Sequence, residues 1–342
     1  MGEECGLDVD LRLPPWGVGP LTFFCRARRA VFGIALEEAC VKRRGFSPSS
    51  SEAAARLERI GTEFLGGYHA ALEEASSAAL GLRLNHVVSS DYRGFAFEGA
   101  AMALILLDRL HLERGSFRAF LEGPGAPHVY MLHVGAGWAF ARLPWLRRDL
   151  VRAMAGMDPL LRWLTVDGYG FHEGYFHWPQ SIRQRVVPRG VDGYALHVFD
   201  QGLGRSLWFV EGIDAGRAAA TIRSFPQVRR ADLWSGVGLA CAYAGGADSA
   251  ALVKLRELAG EHIAAVAQGA AFAAEARRLA GNPIAHCDAA CRALCHMSAE
   301  QAAGIPREEA LHLPPDGEVP AYEIWRQRVQ QRLAHAAERS VV

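Results

Sequence analysis

The sequence predicts an all-α protein, an array of helix pairs repeated about every 34 residues, either an open α-solenoid or a closed α/α superhelix. Three observations predict this class. A small-x-small-x-small pattern recurs at nearly constant spacing, capping residues and chain breakers lie between its copies, and the polar/apolar alternation typical of strands is scarce.

The repeated pattern needs a packing explanation, because a glycine inside a helix costs about 1 kcal/mol relative to alanine. Positions i and i+2 lie about 200° apart around a helix, so small residues at both positions would let a helix pack closely against its predecessor and its successor. A degenerate early copy opens at Gly66. The leading glycines of the later copies are spaced 36, 33, 34, 34 and 33 residues apart, at Gly99, Gly135, Gly168, Gly202, Gly236 and Gly269.

The chain is predicted to divide into three parts. Residues 1–60 depart from the repeat and form an N-terminal capping region. Residues 60–310 form the helical repeat domain, in which the serines at 49–51, residues 248–249 and the capping box of Ser298 with Gln301 mark helix starts. Residues 281–283 mark a helix end. Residues 311–342 form a proline-containing linker and an amphipathic helix around residues 322–337.

The composition is that of an ordinary globular protein and excludes several classes of function. Of 342 residues, 50% are hydrophobic, and 37 basic side chains balance 37 acidic ones. Nucleic-acid binding requires a basic surface, so we expect no nucleic-acid partner. The longest apolar run, residues 100–107, is shorter than the about 20 residues that span a bilayer, so we expect no transmembrane segment. The acidic N-terminus lacks a signal-peptide pattern, which favours a cytoplasmic protein.

One face of the repeated helices is predicted to bind a ligand. Counted from each leading glycine i, positions i+1, i+5 and i+8 are mostly apolar and should pack against the partner helix. Positions i−1 and i+3 mix polar and aromatic residues, and concave solenoid surfaces usually carry the binding site. The alternative is that these residues face solvent or pack against the next repeat. The predicted ligand-binding residues are Glu98, Trp138, Phe171, Gln201 and Gln268.

The densest polar cluster, residues 167–177, supplies two of three candidate catalytic residues, Asp167 and His172. On a continuous helix Glu173 and His177 would point away from His172, so we expect no common ligand for the three. The alternative for Asp167 and His172 is a hydrogen-bonded polar layer between repeats. The third candidate is Arg205, which would bind a carboxylate or stabilise an oxyanion; the alternative is a salt bridge to Asp200 or Asp167.

No cofactor or metal site is predicted. The Gly-x-Gly pairs belong to the helical repeat and follow no strand, so they do not indicate a dinucleotide site. Seven cysteines fit free thiols better than a disulfide framework. Cys287, Cys291 and Cys295 recur every four residues and predict a buried apolar stripe, since the paired spacing of a structural zinc site is missing.

Several segments resemble the family of domain of unknown function 1702, including residues 28–46, 97–102, DGYGFHEGYF at 167–176, FDQGLGRSLWF at 199–209 and 230–240. The similarity spans about residues 20–310. That family is associated with enediyne biosynthesis clusters, beside an iterative polyketide synthase and an UnbV-like protein. The resemblance therefore implies a role in maturing a hydrophobic, linear conjugated polyene, with the UnbV-like protein as partner, and it carries over no catalytic residues.

Two hypotheses follow from the resemblance and the repeat. In the first, the chain is a cofactor-independent enzyme or subunit acting on the polyene, with Asp167, His172 and Arg205 handling protons. In the second, it is a non-catalytic helical-repeat scaffold that shields the polyene and docks partner enzymes. In both, Trp138→Ala is expected to weaken polyene binding with little loss of fold stability.

Overall fold

The computed structural model describes residues 23–74 and 76–339, and every regular element in that part of the chain is helical, which confirms the predicted all-α class. Short 3-10 turns lie at Leu36–Ala39, Ala126–His128 and Gly260–His262, and a π-turn at Pro179–Arg183. None of the described helices is both long enough and apolar enough to cross a membrane. The α-helices are α1 Phe23–Phe32, α2 Val41–Arg44, α3 Ser51–Glu73, α4 Ser77–Val87, α5 Ser90–Arg109, α6 Ser116–Glu122, α7 Val129–Arg142, α8 Pro144–Arg147, α9 Leu150–Ala153, α10 Trp163–Phe176, α11 Tyr194–Val210, α12 Ala215–Arg223, α13 Gln227–Ala244, α14 Ser249–Ala259, α15 Ile263–Leu279, α16 Ala285–Cys295, α17 Ala299–Glu309 and α18 Ala321–Arg339.

Seven of the longer helices pack against one another in chain order: α3, α5, α7, α10, α11, α13 and α15. The repeated glycines lie where these helices touch. A Cβ atom on Gly202 of α11 would lie 1.8 Å from the carbonyl oxygen of Asp167 in α10, and one on Gly204 would lie 2.1 Å from that of Leu233 in α13. The two glycines of one copy therefore face the preceding and the following helix, as predicted from their spacing.

Helices far apart in this series also meet. The Tyr243 ring of α13 packs edge-on against Phe95 of α5, with ring centres 5.2 Å apart. The Asn282 side chain, just after α15, donates a hydrogen bond to the Ser90 carbonyl at the start of α5 (3.0 Å). Helix α15 also contacts α7. The packed series therefore curves until its later members touch its earlier ones.

Local capping places several helix starts where the sequence predicts them. Ser50 accepts a hydrogen bond from the Ala53 backbone N–H (3.1 Å) at the start of α3. Ser298 and Gln301 form a complete capping box at the start of α17. Each side chain satisfies a backbone donor that lacks a partner inside the helix, which stabilises a helix start by about 1 kcal/mol.

The C-terminal helix α18 packs across three helices of the series, α11, α13 and α15. One stripe of its side chains is at most 2% exposed: Tyr322, Trp325, Val329 and Leu333. Trp325 stacks on Phe272 of α15, with ring centres 4.4 Å apart. The amphipathic helix predicted for residues 322–337 is thus present as Ala321–Arg339 and packs against the main body of the protein.

The cysteine stripe of α16 is buried, as predicted. Cys287, Cys291 and Cys295 are at most 2% exposed. The Cys295 sulfur lies 3.4 Å from the Ala267 carbonyl oxygen and that of Cys291 lies 3.8 Å from Ala270, both in α15. The stripe therefore serves as a packing surface between two helices.

Candidate functional site

Helices α3, α5, α7, α10, α11 and α13 surround a narrow apolar cavity, in which the centre of a water-sized molecule has about 50 Å³ of free space. The structure places five residues of the i+3 position in its wall, one from each of five successive helices: Met102, Trp138, Phe171, Arg205 and Leu239. Glu98, from position i−1 of α5, also lines it. Of the predicted site residues, the cavity thus brings together Glu98, Trp138, Phe171 and Arg205.

The sequence analysis missed the wall residues that lie one helical turn further along. Tyr175, Phe209 and Tyr243 follow Phe171, Arg205 and Leu239 by four residues, so they occupy the same helix face. Extending the i+3 position to i+7 would have identified them. Ala240, the third small residue of the copy that begins at Gly236, also lines the cavity. The remaining wall residues were not singled out by the repeat, and they are Ile34, Glu38, Ala39, Ile60, Gly61, Phe64, Leu65, Phe95, Phe176 and Ala244.

Aromatic rings make much of the cavity wall stiff and continuous. The Trp138 ring lies 4.5 Å from Phe64, 5.2 Å from Phe171 and 6.0 Å from Tyr175, measured between ring centres. Phe171 also meets Phe209 edge-on at 5.2 Å. Rings packed in this way hold one another in place, so the wall presents a preformed apolar surface.

Glu98 places an ionisable group in this apolar wall. It is 2% exposed, and it accepts a hydrogen bond from the Trp138 indole N–H (2.9 Å). Burial raises the pKa of Glu98 to about 7, although the nearby Arg205 opposes this shift. The carboxyl can therefore hold or release a proton at the cavity wall near neutral pH.

Arg205 is the buried cation of the cavity. Its guanidinium forms an ion pair with Asp167 and lies 5.0 Å from the centre of the Phe171 ring. The salt bridge to Asp167, one of the alternatives open for Arg205, is thus present. Asp200 pairs instead with Arg229 (2.7 Å). The ion pair with Asp167 holds the Arg205 guanidinium in place and neutralises part of its charge.

Gln201 and Gln268, which were predicted to bind ligand, lie beneath α18 and not in the cavity wall. Gln201 donates hydrogen bonds to Asp167 (2.8 Å) and to the Tyr322 hydroxyl of α18 (3.2 Å). Gln268 accepts from Ser235 (2.9 Å). The predicted continuous face is therefore split. Five of the six i+3 residues line the cavity, whereas Phe272 of α15 and most residues of position i−1 lie under α18.

Tyr243 is a lining residue of the cavity and carries an unsatisfied donor. Its hydroxyl is buried and has no hydrogen-bond partner among the described residues. It lies directly over Gly94, where a Cβ atom would be 1.9 Å from the hydroxyl oxygen. Burial raises the pKa of Tyr243 to about 12, so the hydroxyl keeps its proton at neutral pH. A buried donor without a partner costs about 1–3 kcal/mol, which a ligand acceptor would recover.

His172 lies behind the cavity wall, where its ring packs edge-on against Trp138 at 5.6 Å. Nδ1 of His172 lies 3.1 Å from one carboxylate oxygen of Glu173, and Nδ1 of His177 lies 3.1 Å from the other. The expectation that these three side chains cannot converge was wrong. Glu173 and His177, four residues apart, share one helix face as expected, and the unexpected contact is that of His172, whose Nδ1 turns to the same carboxylate.

The three predicted catalytic residues do not meet at one point of the cavity. Only Arg205 lines it; Asp167 lies behind Arg205, and His172 lies behind Trp138. Burial lowers the pKa of His172 to about 4, so the imidazole is neutral at physiological pH.

A family model described as a protein of unknown function (DUF1702) matches residues 23–333. The match extends beyond residue 310, where the resemblance drawn from the sequence ended, and it includes most of α18. No curated protein and no solved structure matches the chain.

Proposed function

The chain belongs to the DUF1702 family of proteins of unknown function, and we propose that it binds a linear conjugated polyene in the cavity between its helices. One observation carries the proposal: the cavity surface is almost wholly apolar and largely aromatic, and Glu98, Arg205 and Tyr243 are among its lining residues. Pockets of this kind take an apolar ligand and orient it through a few polar groups.

The polar groups indicate how the polyene is oriented. Its conjugated length packs against Trp138 and Phe171, since flat π-systems stack favourably on aromatic rings. An oxygen-bearing end accepts a hydrogen bond from Tyr243 and lies toward Arg205. Glu98, with its carboxyl between protonation states at neutral pH, lies on the same wall.

The architecture that supports this cavity is part of the proposal. The packing of seven glycine-bearing helices in chain order, and the contacts between early and late members, support a closed α/α superhelix with repeats of about 34 residues. In such an array the i+3 side chains converge on the axis, which accounts for five of them lining one cavity.

The proposed biological setting follows from the sequence resemblance. The polyene would be an intermediate of enediyne-type polyketide biosynthesis, with an UnbV-like protein as the partner. The enzyme and scaffold hypotheses are separated by product analysis with and without that partner. Turnover by this chain alone supports an enzyme, whereas binding without turnover supports a carrier or scaffold.

Binding is tested with two fluorescent polyenes, trans-parinaric acid, which carries a carboxylate, and diphenylhexatriene, which is a neutral hydrocarbon. We expect both to bind with saturation. Tyr243→Phe removes only a hydroxyl that has no protein partner, so the fold should keep its stability. The variant should bind the carboxylate probe about tenfold more weakly, through loss of one charge-assisted hydrogen bond, and should bind the hydrocarbon as before.

The matched control is Tyr169→Phe, because Tyr169 is also buried but does not line the cavity. It should leave the affinity for both probes unchanged. Absence of saturable binding of either probe contradicts the proposal. Equal affinity of wild type and Tyr243→Phe for trans-parinaric acid contradicts the placement of the polar end.

A further inference from the structure

We propose that His172, Glu173 and His177 form a binding site for one divalent transition-metal ion. This inference is independent of the proposed polyene binding. It departs from the sequence analysis, which weighed a metal only at the cysteine stripe and separately expected Glu173 and His177 to point away from His172.

The distances fit a shared ion. One ligand atom from each of the three residues lies within 4.8 Å of the other two. Bonds of about 2.0–2.2 Å to a single ion hold its ligand atoms roughly 3–4 Å apart. Both imidazole Nδ1 atoms already lie 3.1 Å from a Glu173 oxygen, so small side-chain rotations would bring the ligand atoms around one centre.

Hydrogen bonding within the cluster leaves one group unexplained. Glu173 accounts for Nδ1 of both histidines, but Nε2 of His172 is buried and has no hydrogen-bond partner among the described residues. When Nδ1 coordinates the ion, Nε2 becomes the N–H of a neutral imidazole, and this donor takes an outer partner such as water.

The neighbouring residues hold the ligands in place. The His172 ring packs against Phe176 with ring centres 4.9 Å apart and against Trp138 at 5.6 Å. The Ser181 hydroxyl lies 2.9 Å from the Glu173 carbonyl oxygen and 3.0 Å from that of His177, which fixes the end of α10. The His177 side chain is 55% exposed, so an ion can reach the site from solvent.

The donor set selects the kind of ion. Two imidazoles and one carboxylate are ligands of zinc and of ferrous iron, and three protein ligands leave positions open for water or substrate. Magnesium and calcium prefer oxygen ligands, and this cluster offers only the carboxylate of Glu173, so both ions are disfavoured. The guanidinium of Arg142, 5.2 Å from the Phe176 ring, is a nearby positive charge that opposes the binding of any cation.

The test uses the purified full chain after EDTA treatment and dialysis. Zn²⁺ and Co²⁺ are titrated by calorimetry, Co²⁺ also by visible absorption, and Fe²⁺ is added without oxygen to compare its affinity with that of zinc. We expect one ion per chain. His177→Ala and Glu173→Gln should each weaken binding by about tenfold or more, with the fold checked by circular dichroism.

The matched control is His197→Ala. His197 also pairs with one carboxylate, Asp232 (2.8 Å), and its side chain is 52% exposed, but among the described residues it belongs to no group of three possible metal ligands. This variant should bind the ion as the wild type does. Absence of binding by the wild type overturns the proposal, and so does unchanged binding by His177→Ala. Strong thiolate-to-cobalt absorption overturns it as well, because it would place the ion at the cysteine stripe.

Discussion

Glu98 shows how burial alone turns one residue into a pH sensor. Its pKa is about 7 in the folded protein and has an ordinary value of 4.5, so the folded state binds more protons than the unfolded chain between these pH values. The contribution of this group to stability is therefore fully present below pH 4.5 and is lost as the pH rises through 7. The shift corresponds to roughly 3 kcal/mol.

We expect Glu98→Gln to remove this pH dependence. The amide oxygen can still accept the Trp138 hydrogen bond, but it does not titrate. Urea denaturation at several pH values should show wild-type stability falling, relative to the variant, between pH 4.5 and 7. A difference between the two proteins that stays constant over this range contradicts the raised pKa.

Trp138 is more deeply involved in the fold than its position in the repeat suggests. Its side chain is 5% exposed and packs against five other rings, and its N–H binds Glu98. This packing argues against the expectation that Trp138→Ala leaves the stability of the fold almost unchanged. Loss of the ring would leave a large void among groups that cannot close it.

We now expect Trp138→Ala to lower the free energy of unfolding by about 3–5 kcal/mol, measured by urea denaturation. The control is Trp145→Ala, because Trp145 is 52% exposed and should cost under about 1 kcal/mol. Similar losses in the two variants would contradict the central packing role of Trp138. The polyene-binding role of Trp138 is better tested with Trp138→Phe, which keeps an aromatic ring.

At the scale of the helices, the glycines of the repeat set the distance between neighbours. Gly202 brings α11 so close to α10 that a Cβ atom would lie 1.8 Å from a backbone oxygen, and backbone cannot move aside as a flexible side chain can. Gly304 of α17 is helical too, but its added Cβ would have no atom closer than 3.7 Å. The two positions form a matched pair.

Gly202→Ala should therefore destabilise the protein by about 1–3 kcal/mol or more, because the helices must move apart. Gly304→Ala should be neutral or stabilising by up to about 1 kcal/mol, since alanine favours the helix. Thermal melts of both variants, compared with the wild type, measure these changes in stability. Equal melting temperatures would mean that the close approach at Gly202 does not limit stability.

For the whole molecule, α18 acts as a cover over polar and aromatic groups of other helices. Its Tyr322 hydroxyl accepts from Gln201, and its buried Arg326 pairs with Asp232 of α13 (2.6 Å). Without this helix the layer around Gln201 and Gln268 would meet solvent, and buried apolar surface would be exposed.

We expect a chain ending at residue 314 to melt at a clearly lower temperature than the full chain and to bind more of the hydrophobic dye ANS. A chain ending at residue 336 keeps Tyr322 through Leu333 and should behave like the full protein. Unchanged melting of the shorter chain would contradict the covering role of α18.

The sequence by itself determined the helical class and the glycine contacts, because both depend on spacing along the chain. Gly202 and Gly204 are two residues apart, so they face nearly opposite sides of their helix regardless of which helices pack against it. The same periodicity placed Met102, Trp138, Phe171, Arg205 and Leu239 on one face, and those residues line the cavity.

Only the tertiary structure decided which part of that face is open. Gln201 and Gln268 share the repeat position of Glu98, which lines the cavity, but α18, far along the chain, covers them. Likewise helical spacing placed His172 away from Glu173 and His177, but the side-chain conformation brings Nδ1 of His172 to the Glu173 carboxylate. Periodicity describes how side chains are arranged around one helix, whereas burial and side-chain conformation depend on packing between residues that are distant in sequence.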